Sequence, residues 1–382
     1  MRKKHFLFAS VLALLCGSST LHAQDFKLTS SGYFKNQGVD VMAFDDIYPE
    51  GHQGGVCIIM NGHRVATNGD IRLEATPGQW QPVPKQLDRK LGDNSITATL
   101  CYPDSSRHLT GFNPMIYPDL HLIYTVQVES KGKHIEVTVD LDRPIPQEFI
   151  GKVGFNLEFF PGSLFGKPWI MDGQSGIFPQ QPNSPLMTTQ PNHLHTGNYH
   201  NGKKSLADID KLIGKGYSPI VADDIISEPY AKGRKFTSRP DDPYNKVTIE
   251  SLSGDLQLFD GRMNHNNGWF VLRSNIKPGV TKGAVKWIIT PNVVADWMYQ
   301  PVIQTSQIGY HPTQDKEAVI EMDIRDNRKE TAQIIRIDAD GEKVVKNVTP
   351  ANWGKFLRYN YLKVNFTDVK EPGLYKIKYN TS

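Results

Sequence analysis

Three histidines and a tyrosine crowd the stretch Asn192-His193-Leu194-His195-Thr196-Gly197-Asn198-Tyr199-His200. On a strand, His193 and His195 would face one side, as a pair of metal ligands does, because side chains alternate across a sheet. Histidine with tyrosine could also supply the base and acid of a polysaccharide lyase or epimerase. Against both stands the abundance of Asn, Gly, Pro and Thr, which reads as a surface loop. On that balance no catalytic residue and no metal ligand is assigned to it. Paired carboxyls are the other chemistry on offer, since an inverting glycosidase sets two of them about 6.5–9.5 Å apart. Asp338-Ala339-Asp340-Gly341 has the composition, but it lies between Ile334–Ile337 and Val344-Val345. Asp340-Gly341 is therefore expected to be a hairpin turn. Asp223-Asp224 and Asp45-Asp46 read as loop acids.

Tryptophans beside small and polar residues suggest sugar binding, because pyranose rings stack on aromatic faces while amides and carboxylates read the hydroxyls. Trp80, Trp169 and Trp269 have such neighbours, and Lys167–Gln174 adds Asp172 and Gln174 close to Trp169. These five residues are the carbohydrate-binding candidates. The competing reading is a core tryptophan near a domain interface. Trp287, Trp297 and Trp353 read as structural. Cys57 and Cys101 both lie in strand-like runs and are candidates for a disulfide, or else two buried strand thiols. No phosphate-binding glycine loop, nucleophile elbow or helical His-Glu zinc pair is present, so no cofactor is expected.

Arg2-Lys3-Lys4-His5, then the apolar run Phe6–Leu15, then small residues up to Ala23 take the order of a secretory signal, cleaved before Gln24. The run is too short to span a bilayer, and no other segment is long and apolar enough. Leu15 is too bulky for the residue before a lipidated Cys16. The chain is thus expected to be exported, to the periplasm, the cell surface or the medium. Lys and Arg number 43 against 40 Asp and Glu, and three of the basic residues fall in the signal. A near-neutral remainder without a basic patch argues against nucleic acid as partner.

Short runs alternating apolar and polar, such as Ile71–Ala75, Ile96–Leu100, His121–Val128, Ile135–Val139 and Val247–Ile249, predict antiparallel strands. Asn61-Gly62, Asn68-Gly69-Asp70, Gly92-Asp93-Asn94 and Lys131-Gly132-Lys133 are read as the turns between them. Ser205–Ile213 is the one helical stretch. The fold class is all-β: a large multi-layer sandwich over 24–300, then a smaller immunoglobulin-like sandwich over 301–382.

The second part carries Gln307-Ile308-Gly309-Tyr310-His311-Pro312, Lys316–Ile320, Phe366-Thr367-Asp368 and Glu371-Pro372-Gly373-Leu374-Tyr375. In this order it resembles the immunoglobulin-like domain that precedes the catalytic domain of family 9 glycoside hydrolases, the cellulase family. His63–Leu73, Pro77–Trp80, Gly154–Phe160 and Phe165–Lys167 are similar to the long amino-terminal region of some bacterial members. The resemblance implies a helical (α/α)6 catalytic barrel in the full-length parent, with one more strand closing the smaller sandwich before it. Neither lies within 1–382. It also implies a β-1,4-glucan or related polysaccharide as partner, and a non-catalytic, supporting role for this stretch. A stand-alone carbohydrate-binding protein is the alternative, and a lyase or epimerase using His193–His200 a further one.

Overall fold

The computed structural model describes residues 25–45, 54–74, 76–77, 84–102, 120–183, 186–188, 225–263 and 268–380. The described chain is all-β, with 27 strands, a few single 3-10 turns and no α-helix among the described residues. Ser205–Ile213, His193–His200, Trp80, Asp223-Asp224 and the segment 1–23 fall outside it.

Two nine-stranded antiparallel sheets make the larger sandwich. The first runs β1 (Lys27–Leu28), β2 (Phe34–Asn36), β3 (Val39–Ala43), β4 (Val56–Met60), β5 (His63–Leu73), then β10 (Val153–Phe159), β19 (Phe270–Asn275), β18 (Leu256–Asp260) and β15 (Ala231–Gly233). The second runs β12 (Gln174–Ile177), β11 (Pro168–Met171), β16 (Lys235–Ser238), β17 (Val247–Ser251) and β20 (Val285–Pro291). It continues through β9 (His134–Leu141), β8 (Ile123–Lys131), β7 (Ser95–Cys101) and β6 (Lys85–Leu91). A small pair, β13 (Leu186–Thr188) with β14 (Ile225–Ser227), stands apart.

Alternation explains what joins the layers. Phe155, Leu157 and Phe159 of β10 are fully buried, as are Val137 and Val139 of β9, Ile249 of β17 and Trp287 of β20. Trp287 meets Phe155 edge-on at 4.9 Å, and Phe159 meets Phe236 at 5.8 Å. The Trp287 Nε1–H donates to Ser274 Oγ at 3.0 Å, which satisfies the one polar atom of that indole. Cys57 on β4 and Cys101 on β7 are both buried, one in each large sheet.

Most predicted turns are found. Asn61 and Gly62 take positive φ between β4 and β5, as a two-residue hairpin with right-handed strand twist requires, and Gly132 does so between β8 and β9. Asn68-Gly69-Asp70 is different. It lies inside β5, where the register shifts between the pairs Asn156–Asp70 and Glu158–Thr67 and Asn68 has φ 55°. The turn-forming residues are used for a β-bulge, which keeps the strand going and re-aims its side chains beyond that point.

The carboxy-terminal sandwich has a four-stranded sheet, β21 (Val302–Gln304), β22 (Glu317–Asp323), β26 (Tyr359–Asn365) and β25 (Ala351–Phe356). Its partner sheet is β24 (Gly341–Val348), β23 (Ala332–Asp338) and β27 (Leu374–Lys378). Ile320, Met322, Ile334, Leu362, Val364 and Tyr379 lie in a core of their own, separate from that of the larger sandwich. The Asp338–Gly341 hairpin closes as expected, with Asp338 paired to Gly341. Gln307–Pro312 belongs to the connection between β21 and β22 and not to a strand. Tyr310 there folds back, its ring 5.2 Å from Phe366 and its hydroxyl donating to the Glu317 carbonyl at 2.8 Å.

Candidate functional site

Two places concentrate polar and aromatic chemistry. The first is the centre of the first large sheet. Asp70 of β5 is the cross-strand partner of Asn156 on β10, which is in turn the partner of Arg273 on β19. By alternation these side chains, with Arg72, Glu74 and Glu158, take the face opposite Phe155 and Leu157. All are nevertheless buried. Most of their polar atoms satisfy one another. Arg273 reaches Glu74 Oε1 at 3.2 Å, the Glu74 carbonyl at 2.9 Å and Asn275 Oδ1 at 2.7 Å. Asn156 Nδ2 donates to Glu74 at 2.7 Å, Asn68 Nδ2 to Glu158 at 2.6 Å, and the Tyr124 hydroxyl to Asp70 at 2.9 Å. Arg72 Nε and Asn68 Oδ1 have no hydrogen-bond partner among the described residues.

Burial dominates the protonation of this cluster. Desolvation pushes Glu74 up to about 7, against the pull of Arg273 and Arg72. It pushes Asp70 up to about 6, against Arg72, the Ile71 amide and the Tyr124 hydroxyl. A folded value above the ordinary 4.5 or 3.8 means that the folded chain keeps a proton which the unfolded chain releases. Stability therefore falls as pH rises from about 4 to about 7 through these two groups, and levels off above. Urea titrations at several pH values should show that slope, and Glu74→Gln should flatten much of it. A slope unchanged in Glu74→Gln would show that Glu74 does not carry it.

The second place is a cleft of about 760 Å³ between β1–β3 of the larger sandwich and the carboxy-terminal one. Gln37 Nε2 donates to the Trp297 carbonyl at 2.8 Å, and Arg358 meets Asp40 at 3.2 Å across the gap. Gly38, with φ 67°, backs onto Trp297 so closely that a Cβ would lie 2.7 Å from the indole. Asp323 takes two bonds from the Arg325 guanidinium, one from the Arg325 amide and one from the Tyr299 amide. Burial raises its carboxyl, but these donors outweigh that and hold it at about 2. The two ion pairs cancel, which leaves Lys27, Lys35 and Asp25 as the remaining charges on the lining.

From this cleft a line of rings runs from the segment before β21 over β26 to the edge strand β25 of the four-stranded sheet. Trp297 and Tyr299 are 6.3 Å apart, Tyr299 and Tyr359 5.1 Å, Tyr359 and Tyr361 6.1 Å, Tyr361 and Trp353 5.6 Å. Tyr359 and Tyr361 alternate with Asn360 and Leu362, so they take the face turned away from Ile320 and Leu362 in the core. Glu321 lies opposite Tyr361 in the ladder and accepts from the hydroxyls of Tyr299 at 3.0 Å and Tyr361 at 3.1 Å. Burial first, then Glu321, raises both tyrosines. Trp353 is 55% exposed at the far end.

The carbohydrate-binding candidates fare differently. Trp169 is buried in the core of the larger sandwich, with Gly176 packed so closely that a Cβ there would fall 2.5 Å from the indole. No ring face is left for a sugar. Asp172 and Gln174 are exposed, but they tie the hairpin to its neighbours: Asp172 accepts from the Arg234 and Lys235 amides and Gln174 donates to the Lys232 carbonyl. Trp269 is half-buried, edge-on to Phe160 at 4.3 Å. The structure does not bring these residues into one site. Trp297 and Trp353, read as structural, are instead the ends of the aromatic line. The signal for that line lies in Trp297-Met298-Tyr299 and Tyr359-Asn360-Tyr361, pairs of rings two residues apart. Among the described residues no group of three or more His, Cys, Asp or Glu could hold a metal ion, and no helix is long and apolar enough to cross a membrane.

A search among curated proteins finds no match to the chain. Among solved structures, heparan sulfate lyase HepC from Pedobacter heparinus is similar with a TM-score of 0.25 and 11% identity, over 79% of this chain and 41% of that one. The chain thus spans less than half the length of that lyase. Residues 298–382 match the family model described as the cellulase N-terminal ig-like domain. That range coincides with the carboxy-terminal sandwich and the segment that carries Tyr299, so this part of the chain is immunoglobulin-like and similar to that domain.

Proposed function

We propose that this chain is the non-catalytic amino-terminal portion of an exported polysaccharide-degrading hydrolase of cellulase type, of glycoside hydrolase family 9 by its motifs. In this reading 24–300 is one domain and 301–382 a second, and together they support a helical catalytic domain encoded with them. The observation that carries the reading is the match of 298–382 to the cellulase immunoglobulin-like domain. The placement of Trp297, Gln37, Arg358 and Asp40 across the cleft supports it further, because a domain held by ordered contacts can brace a neighbouring domain. The basic and apolar order of residues 2–15 supports export.

The test is hydrolysis. The purified chain is expected to release no reducing sugar from β-1,4-glucans. A family 9 catalytic barrel joined after residue 382 is expected to melt several degrees higher than the barrel alone. Hydrolysis by the chain itself, lost on substitution of its own residues, would sink the proposal.

A further inference from the structure

We infer that the outer face of the four-stranded sheet is a glycan-binding track for a neutral, β-linked hexopyranose chain, entering at Trp353 and ending in the cleft at Trp297. Five rings in an unbroken line, 5.1–6.3 Å apart, are rare on a sheet face that must meet water. Scattered apolar residues on a surface need no explanation, whereas a contiguous aromatic strip rimmed by polar groups marks a binding surface. Successive rings are tilted by 51–88°, so they cannot make one flat stack. Alternate rings can take successive sugar faces, with tyrosine hydroxyls and Glu321 between them to meet sugar hydroxyls.

The charge of the site selects the ligand. Asp40–Arg358 and Asp323–Arg325 neutralise each other, and the excess of Lys27 and Lys35 over Asp25 on the cleft lining is set against the Glu321 carboxylate, which accepts from two tyrosines. A nearly balanced lining suits an uncharged glycan and offers no field to draw in a polyanion. The shape agrees. The strip leads into a cleft of about 760 Å³, room for a chain end, where a flat protein partner would leave space unfilled. The rings are also ordered in advance: Asp323 fixes the Tyr299 backbone and Glu321 fixes two hydroxyls, so little freedom is lost on binding. The choice of a β-glucan as probe rests on the function proposed above; the track itself rests on its geometry.

Affinity electrophoresis of the full chain in gels containing hydroxyethylcellulose, with calorimetry on cellohexaose, tests this. The unmodified chain is expected to be retarded and to bind cellohexaose. Trp353→Ala should weaken binding roughly tenfold, the loss of about one stacking contact. Ile308→Ser, at a 99% exposed position of the same sandwich off the track, should bind as the parent does. Trp353 is exposed, so its loss leaves the core intact, and cellohexaose quenching of the remaining tryptophan fluorescence gives a second reading of the site. Absence of retardation by neutral β-glucans, or full binding by Trp353→Ala, overturns the inference. So does binding to polygalacturonate alone. Should track variants weaken only the association with a separately supplied catalytic barrel, the face is a protein dock; the inference fails and the proposed supporting role stands. Should the chain bind glucan at the track and also hydrolyse it, the role fails and the track stands.

Discussion

Replacing Arg273 by methionine is expected to lower the stability of the chain by about 3–5 kcal/mol at pH 8, the cost of leaving a buried ion without its partner. Arg273 and Glu74 are each about 1% exposed, and the guanidinium also holds the Glu74 carbonyl and Asn275. The methylene stem would be replaced well enough by methionine; the polar contacts would not. The loss should shrink at pH 5, where Glu74, pushed up to about 7 by burial, is already protonated in the folded chain. Glu74→Leu combined with Arg273→Met should recover part of the loss, because neither charge of the pair is then left buried without the other, although Asn156 and Asn275 lose a partner. Urea midpoints of the parent and the two variants at the two pH values measure all of this. Equal losses at pH 5 and pH 8 would mean that the ion pair is not what Arg273 contributes.

Gly55→Ala should be nearly as damaging. Gly55 bridges to Gly69 with φ 61°, and a Cβ there would lie 2.6 Å from the Gly69 carbonyl oxygen. The obstacle is backbone, which cannot swing aside as a side chain can. A non-glycine residue in the left-handed region costs about 1–3 kcal/mol, and overpacking adds about 1–3 more, so roughly 2–6 in all. Gly162→Ala is the control, since nothing lies within 4 Å of its Cβ position; it should stay within about 0.5 kcal/mol of the parent. Soluble yield and urea midpoint compare the two, and equal midpoints would refute the close approach.

Local pattern foretells the strands well. Ile135, Val137 and Val139 alternate inward, and Asp340-Gly341 turns the chain where the flanking β-branched runs demand it. Pairing between distant strands leaves no mark in local pattern. Ile71-Arg72-Leu73-Glu74 has the alternation of a strand with one wet face, yet both faces are buried. What makes that tolerable is Arg273, 199 residues beyond Glu74. The same limit applies to the site. Trp169, beside Pro and close to Asp and Gly, has the neighbours of a sugar-binding ring and is core, because β11 lies against β16. Trp353 has the pattern of a structural residue and is open to solvent, because β25 is the edge of its sheet. Neighbour composition speaks to turns. Exposure is decided by which strand arrives alongside.

The order of the two large sheets has a consequence for the time course of folding. In the second, β6 to β9 are consecutive in the chain and pair as a simple meander. Each pairing there links neighbouring strands and can form early. The centre of the first sheet joins β5, β10 and β19, drawn from residues 63–73, 153–159 and 270–275. Glu74 thus precedes Arg273, its ion-pair partner, by 199 residues, while Asp70 and Glu158 are offset by the nearer Arg72. Because those pairings close long loops, the arrival of β19 between β10 and β18 is expected to be the slow step, with the amides in the middle of that sheet the last to gain protection from hydrogen exchange.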